Sequence, residues 1–198
     1  MKLKLSDKIK LELMKYFRFE RNYKLVCTEG IHLADVNAYN GTSLIEAEVK
    51  ISKADFKKEF QTEKKESNRW KIYKHSNYAE PKKHLAAGYV IPNRFYFCVP
   101  AKLAQWAADF LKEKKSKYGL LSYDETRWTG NAHIVTITPA KNIHSVRQER
   151  DILLQIARRT TNELITTREL LIAQGKELEA LKKGVLEESE DQEQWQKQ

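Results

Sequence analysis

The sequence has few of the residues that build disulfides, nucleotide-binding loops or membrane spans. Its two cysteines, Cys27 and Cys98, both lie in predicted strands, so we expect buried free thiols in the reducing cytoplasm. The 7 glycines form no Gly-x-Gly turn between a strand and a helix, which argues against nucleotide-driven activity. No apolar run approaches the roughly 20 residues that cross a bilayer, and the N-terminal segment lacks the apolar stretch of a signal peptide. We therefore expect no membrane contact.

Zinc-ligand spacing is also missing. The five histidines contain no His-x-x-x-His pair, and the two cysteines are too far apart in sequence to form a zinc-binding pair. A structural zinc site is therefore not expected.

Positive charge is in excess. Lys and Arg number 36 against 27 Asp and Glu, a formal net charge of +9 with a pI near 9.4. Residues 150–198 hold 8 basic and 10 acidic side chains, which leaves 28 basic and 17 acidic side chains, a net charge of +11, in residues 1–149. A basic body of this kind favours an anionic partner such as nucleic acid or a membrane surface.

Hydrophobic periodicity predicts an α/β or α+β fold. Ser6 is the predicted N-cap of a first helix, and Ser52 with Asp55 predicts the start of another. Strands are predicted over 23–29, 32–39 and 43–52, with Asn40-Gly41 as a hairpin turn, and again over 93–100, 117–125 and 133–140. A helix is predicted over 101–117. Residues 67–92 show no clear period and are predicted to be irregular and basic, with a short helix near 81–87.

The C-terminal part is predicted to be one long helix from about Val146. Apolar residues recur every seven positions along it (Leu164, Leu171, Leu178 and Val185), and the intervening seam is Ala157, Thr160, Thr167, Gln174 and Leu181. A dimeric coiled coil and a helix packed on its own body both fit this pattern. The predicted organisation is a domain over 1–145, the helix over 146–187 and an acidic tail over 188–198.

The strand SLIEAEVKIS raises a functional question, because Leu44, Glu46, Glu48 and Lys50 share one of its faces. An acidic residue two positions before a lysine also occurs at 55/57, 63/65, 80/82 and 113/115, but those pairs fall in predicted helices or loops. If the preceding strand pairs with this one, Asp35 and Glu48 can approach one metal ion, with the Val49 carbonyl as a third oxygen ligand. Lys50 could then orient or deprotonate water and stabilise charge on a phosphate. The alternative is a sheet whose charged face is exposed to solvent.

This arrangement resembles the core of the PD-(D/E)XK nuclease superfamily, the restriction-endonuclease-like fold, over about residues 5–140. The resemblance implies a mixed central sheet flanked by helices, with a long C-terminal helical extension. The segments IEAEVKISKADF, PNRFYFCVP and KYGLL are similar to bacterial and phage nuclease-like DNA-repair members. The resemblance implies Asp35 and Glu48 as ligands of Mg²⁺ or Mn²⁺, Lys50 as the catalytic lysine, and Glu12 as an additional acid. Glu20 competes with Glu12 for that role, Glu46 is a second acid on the strand face, and Ala34 replaces the proline of the motif.

The expected function is divalent-metal-dependent cleavage of DNA by an endonuclease-like enzyme. The predicted nucleic-acid contacts are Lys53, Lys57, Lys64, Lys65, Lys83, His84 and Arg94. The alternative is a non-catalytic DNA-binding or assembly module that keeps the nuclease fold. In either case the C-terminal helix is expected to form a homodimer or to dock a protein partner.

Overall fold

A six-stranded sheet forms the centre of the chain in a computed structural model that describes residues 4–31, 34–61, 69–147 and 150–195. Within these ranges the side chains of 69–73, 150–151, 180 and 182–195 are not described. The strands lie side by side in chain order: β1 (Leu25–Thr28), β2 (Val36–Tyr39), β3 (Leu44–Val49), β4 (Arg94–Pro100), β5 (Gly119–Tyr123) and β6 (Ile134–Thr138).

The sheet is mixed, as predicted. Strands β1, β2 and β3 form an antiparallel meander, and β5 and β6 are also antiparallel. Strand β4 runs parallel to both β3 and β5. The turn between β2 and β3 contains Gly41 at φ +104°, and the Asn40 carboxamide accepts hydrogen bonds from the backbone N–H groups of Thr42 and Ser43. The Asn-Gly signal therefore marks a real turn, and it fixes the β2–β3 register on which the candidate site depends.

Helices flank this sheet: α1 (Leu5–Lys15), extended by a π-helical turn (Tyr16–Glu20), α2 (Lys53–Lys58), α3 (Arg69–Ala79), α4 (Pro81–Ala86) and α5 (Ala101–Glu113). The last helix, α6, spans Arg150–Trp195. Ser52 caps α2 as predicted, since its hydroxyl accepts from the Asp55 N–H at 3.1 Å. Helix α1 instead has Lys4 at its N-cap and begins before Ser6. The predicted short helix near 81–87 is confirmed by α4, but the prediction of an irregular segment is wrong over Arg69–Ala79, which form α3.

The two faces of the sheet carry different cores. One face packs on α1 through Ile45, Ala47, Val49, Tyr96 and Cys98 of the sheet and Ile9 and Leu13 of the helix. The other packs beneath α2, α3 and α5 through Phe56, Tyr78, Phe95, Phe97, Leu111 and Leu120. Glu46 pairs in register with Phe95, and Glu48 with Phe97, so both glutamates belong to this second, aromatic-rich face. The charged row of β3 is therefore covered by helices.

The chain divides into two compact units, residues 1–159 and 160–198. The first unit includes the start of α6, because Ile152 and Ile156 are buried against Cys27, Tyr39 and Leu44. The division thus falls later than the predicted boundary at 145/146. The second unit is the rest of α6, on which Leu164, Leu171, Leu178 and Leu181 are all exposed.

Candidate active site

Asp35 lies close to Glu48 at one end of the β2–β3 pairing. Val36 of β2 pairs with Ala47 of β3, Asp35 directly precedes Val36, and Glu48 directly follows Ala47. The Asp35 Oδ2 accepts a hydrogen bond from the Val49 N–H at 2.8 Å, which fixes this carboxylate at the end of β3. The side chains of Asp35 and Glu48 keep 21% and 15% of their surface exposed, so both can be reached from solvent.

Lys50 is buried beside these acids and is held by two carboxylates. Its Nζ lies 2.6 Å from Glu59 Oε1 and 3.5 Å from Glu48 Oε2. The second Glu59 oxygen lies 3.1 Å from Nε2 of His75, and Nδ1 of His75 lies 2.8 Å from the Tyr118 hydroxyl. Glu59 thus connects Lys50 at the end of β3 to α3 and β5, and the network restrains the lysine side chain in one position.

A second lysine, Lys74 of α3, occupies the middle of the carboxylate row. Its Nζ lies 2.8 Å from Glu48 Oε1 and 3.1 Å from Glu46 Oε2. Glu46 has no exposed surface, and the Tyr78 hydroxyl donates a hydrogen bond to its Oε2 at 2.5 Å. Because Glu46 is fully buried and Lys50 is only 4% exposed, the interpretation of a solvent-exposed charged face is wrong.

Burial and neighbouring charges shift the pKa values of these groups. Burial raises the pKa of Glu48, against the lowering effect of Lys74 and Lys50, and the nearby Asp35 raises it further. Burial lowers the pKa of Lys50, but the carboxylates of Glu48 and Glu59 outweigh it and leave the pKa raised. Glu46 and Glu48 raise the pKa of Lys74 in the same way against its burial. Both lysines are therefore cations at neutral pH.

The structure does not bring Glu12 or Glu20 to Asp35 and Glu48. Glu12 lies on α1, which packs on the opposite face of the sheet, and it binds Lys15 at 2.6 Å and the His133 N–H at 2.9 Å. Glu20 accepts the Thr129 hydroxyl and the Ala132 N–H. These carboxylates tie the helical segment to the β5–β6 connection. Neither glutamate pairs with Asp35 or Glu48 among the described contacts, so their role as metal ligands stays a prediction.

The predicted nucleic-acid contacts are spread over several elements. Lys53 and Lys57 are exposed on α2, which follows Lys50 directly, and Lys53 also lies over the Trp106 ring at 5.4 Å. Lys83 is exposed on α4, next to His84, whose ring packs against Tyr89. Lys64 and Lys65 lie outside the described residues.

Arg94 lies away from the others. It pairs with Ile45, which places it on the opposite face of the sheet from Glu48, and its Nε donates to Asn142 at 2.8 Å. Of the predicted contacts with described side chains, Lys53 and Lys57 are the nearest in sequence to Glu48 and Lys50.

The end of β3 presents carboxylate and carbonyl oxygens, the donor type that hard divalent cations prefer. Among the described residues, no three His, Cys, Asp or Glu side chains are arranged to hold a metal ion. Asp35 and Glu48 supply two carboxylates, and the Val49 carbonyl points to the same edge as the Val49 N–H that binds Asp35. Oxygen donors of this kind are what Mg²⁺ and Mn²⁺ prefer. Lys10, which lies 2.8 Å from Asp35 Oδ1 with its side chain 21% exposed, would have to leave that oxygen.

Sequence patterns gave no indication of Glu59, His75, Lys74 or Lys10. Lys74 and Tyr78 are four residues apart and share one helical face, which is a usable signal only if a helix is already predicted there. Glu59 lies at the end of α2, and no spacing relates it to Lys50. These residues meet the strand through tertiary packing alone.

No described helix has an apolar segment long enough to span a bilayer. Comparisons with protein-family models, curated proteins and solved structures gave no match. Any functional assignment therefore depends on the geometry of the site.

Proposed function

We propose that the chain is a divalent-metal-dependent DNA endonuclease with the restriction-endonuclease-like fold. The observation that carries the proposal is the placement of Asp35 close to Glu48, with Lys50 two residues further along the chain. The order of elements supports it, because an antiparallel meander is followed by helices and a parallel strand. A charged surface alone would not require two carboxylates and a lysine to converge in a largely buried position.

In this proposal Asp35, Glu48 and the Val49 carbonyl hold Mg²⁺ or Mn²⁺, which when bound polarises water and neutralises phosphate charge. Lys50 supplies a positive charge that stabilises the negative charge developing on the attacked phosphate. Because its pKa is raised, Lys50 acts as a cation and not as the base that deprotonates water. Glu59 restrains the Lys50 ammonium, so little reorganisation is needed during the reaction.

The test is cleavage of plasmid and branched DNA in Mg²⁺ or Mn²⁺, compared with chelator. We expect Lys50→Ala to lose at least about 100-fold in cleavage rate while DNA affinity is kept, because its charge acts mainly in the transition state. Lys102→Ala, which removes an exposed lysine of α5, is the matched control and should cleave normally. Cleavage that persists in chelator, or equal losses in both variants, would contradict the proposal.

A non-catalytic DNA-binding module is the second candidate, and one specific observation favours it. Lys10 and Lys74 already pair with Asp35 and Glu48, so the carboxylates are charge-compensated by the chain itself. DNA binding in chelator with no cleavage of any DNA form, in Mg²⁺ or Mn²⁺, would select this function.

We also propose that the C-terminal helix pairs with a second copy of the chain. Its exposed leucines recur every seven residues, a pattern typical of coiled-coil seams. Two copies would bring two cleavage sites together on DNA.

A further inference from the structure

Lys74 lies between two carboxylates of the β3 strand. Two-metal phosphodiester cleavage places two cations about 3.5–4 Å apart, bridged by shared carboxylates. Glu48 has the right placement to be such a bridge, because it lies close to Asp35 and shares Lys74 with Glu46. The Lys74 ammonium lies between Glu46 and Glu48, 3.1 and 2.8 Å from their oxygens.

We infer that the site takes one divalent cation, at Asp35 and Glu48, and that Lys74 is the resident cation in the second position. This inference rests on the proposed function. It assigns Lys74 a positioning role: its ammonium neutralises Glu46 and holds Glu48 for the single metal ion.

The contacts of Lys74 fix it more firmly than those of Lys10. Lys74 is 5% exposed, binds two carboxylates and lies over the Phe95 ring at 5.1 Å. Lys10 has its side chain 21% exposed and lies at the rim, where it also pairs with Glu29 at 3.5 Å. A metal ion can therefore displace Lys10 from Asp35 with little loss of stability. Displacing Lys74 would instead leave the buried Glu46 carboxylate without a compensating cation.

Formal charge gives the same answer. With Lys10 withdrawn, the charged side chains that the structure describes at the site carry a net charge of −2. They are four carboxylates (Asp35, Glu46, Glu48 and Glu59) and two ammonium groups (Lys50 and Lys74). One divalent cation makes this set neutral. A second would leave a charge of +2 in a largely buried site, which is unfavourable.

An unused oxygen donor also lies beside Lys74's partners. Asn37 pairs in register with Glu46, is fully buried, and neither atom of its carboxamide has a hydrogen-bond partner. Once the Lys74 ammonium is removed, Glu46 and Glu48 keep two carboxylates that had shared one cation, and Asn37 lies across from Glu46 in the sheet. The variant without this cation is therefore expected to gain a metal site.

The experiment counts Mn²⁺ ions bound per full-length chain, by calorimetry and by the loss of the free-ion electron paramagnetic resonance signal. We expect about one Mn²⁺ for the native chain and for Lys74→Arg, which keeps the cation, and about two for Lys74→Met, which has a similar length without charge. Glu48→Gln, which weakens the carboxylate common to both positions, should remove measurable binding. A count of two on the native chain or on Lys74→Arg would contradict the inference even if Lys74→Met does not fold.

The outcomes separate the inference from the proposed function. Two Mn²⁺ on the native chain, or one on Lys74→Met with unchanged affinity, would overturn the resident-cation role and leave the nuclease proposal standing. None on the native chain but one on Lys74→Met would also overturn it, because Lys74 would then block the only site. No Mn²⁺ bound by either chain would overturn the inference together with metal-dependent cleavage.

Discussion

Glu46 shows how this fold accommodates charge in its interior. An ionised carboxylate with no exposed surface is strongly unfavourable unless hydrogen bonds and an opposite charge replace water. Tyr78 and Lys74, one helical turn apart on α3, both reach the same Glu46 oxygen. Helix α3 and strand β3 are thereby joined by a polar contact inside an aromatic core. The loss of either Tyr78 or Lys74 should therefore lower the free energy of unfolding.

We predict that Tyr78→Phe lowers the free energy of unfolding by about 1.5–3 kcal/mol, because it removes a hydrogen bond to a buried charged group. Tyr118→Phe is the matched control: its hydroxyl bonds the His75 ring at 2.8 Å, and its loss should amount to about 0.5–1.5 kcal/mol. Urea unfolding of both variants measures the difference. Equal losses would contradict a special contribution of the Tyr78–Glu46 hydrogen bond to stability.

At the scale of the element, Gly119 shows how closely β4 and β5 approach. A Cβ at this position would lie 2.3 Å from the Tyr96 ring and 2.7 Å from the Ala140 backbone nitrogen. The ring belongs to the core on the α1 face and the nitrogen to the backbone, so neither can move freely. The parallel pairing of Tyr96 with Gly119 therefore depends on the absence of a side chain.

Gly119→Ala is accordingly predicted to destabilise the protein by about 1–3 kcal/mol through overpacking. Gly175→Ala on α6 provides the comparison, since nothing lies within 4 Å of its added carbon and alanine favours a helix by up to about 1 kcal/mol. The midpoint of thermal unfolding should fall for Gly119→Ala and should rise or stay unchanged for Gly175→Ala. A Gly119→Ala protein as stable as the native chain would contradict the close packing of β4 and β5.

The predictable elements are those that are determined by residues close together in the sequence, such as turn residues and alternating apolar positions. The Asn40-Gly41 turn and the alternation in 43–52 fix the β2–β3 hairpin, and from that pairing the proximity of Asp35 and Glu48 follows. Helix α3 was not predictable, because its sequence is polar and has only a weak apolar period. Lys74 and Tyr78 of this helix contact Glu48 and Glu46 of β3 through tertiary packing. The Lys50–Glu59 pair was equally hidden, since it depends on how α2 packs and not on spacing.

At the scale of the whole molecule, the basic excess should govern DNA affinity through salt. If Lys53, Lys57 and Lys83 each meet one phosphate, log affinity falls with log salt at a slope of about −2.7. Affinity should then drop about 40-fold between 50 and 200 mM salt, as measured by fluorescence anisotropy. Lys53→Ala should reduce the slope by about 0.9, whereas Lys176→Ala, on the acidic C-terminal part, should leave it unchanged. A salt-independent affinity would point away from DNA.

The proposed pairing of α6 makes a prediction about orientation as well as about mass. When Leu164, Leu171 and Leu178 take the first core position of each heptad, Glu163 and Arg168 flank the seam five residues apart, at positions that face each other in a parallel dimer. Full-length Glu163→Arg and Arg168→Glu should each weaken dimerisation in sedimentation equilibrium through like-charge contacts, and the double variant should restore it. Antiparallel helices would not bring these two residues together, so the double variant would remain weak. A native chain that sediments as a monomer at every concentration tested would show that the leucine stripe does not join two copies.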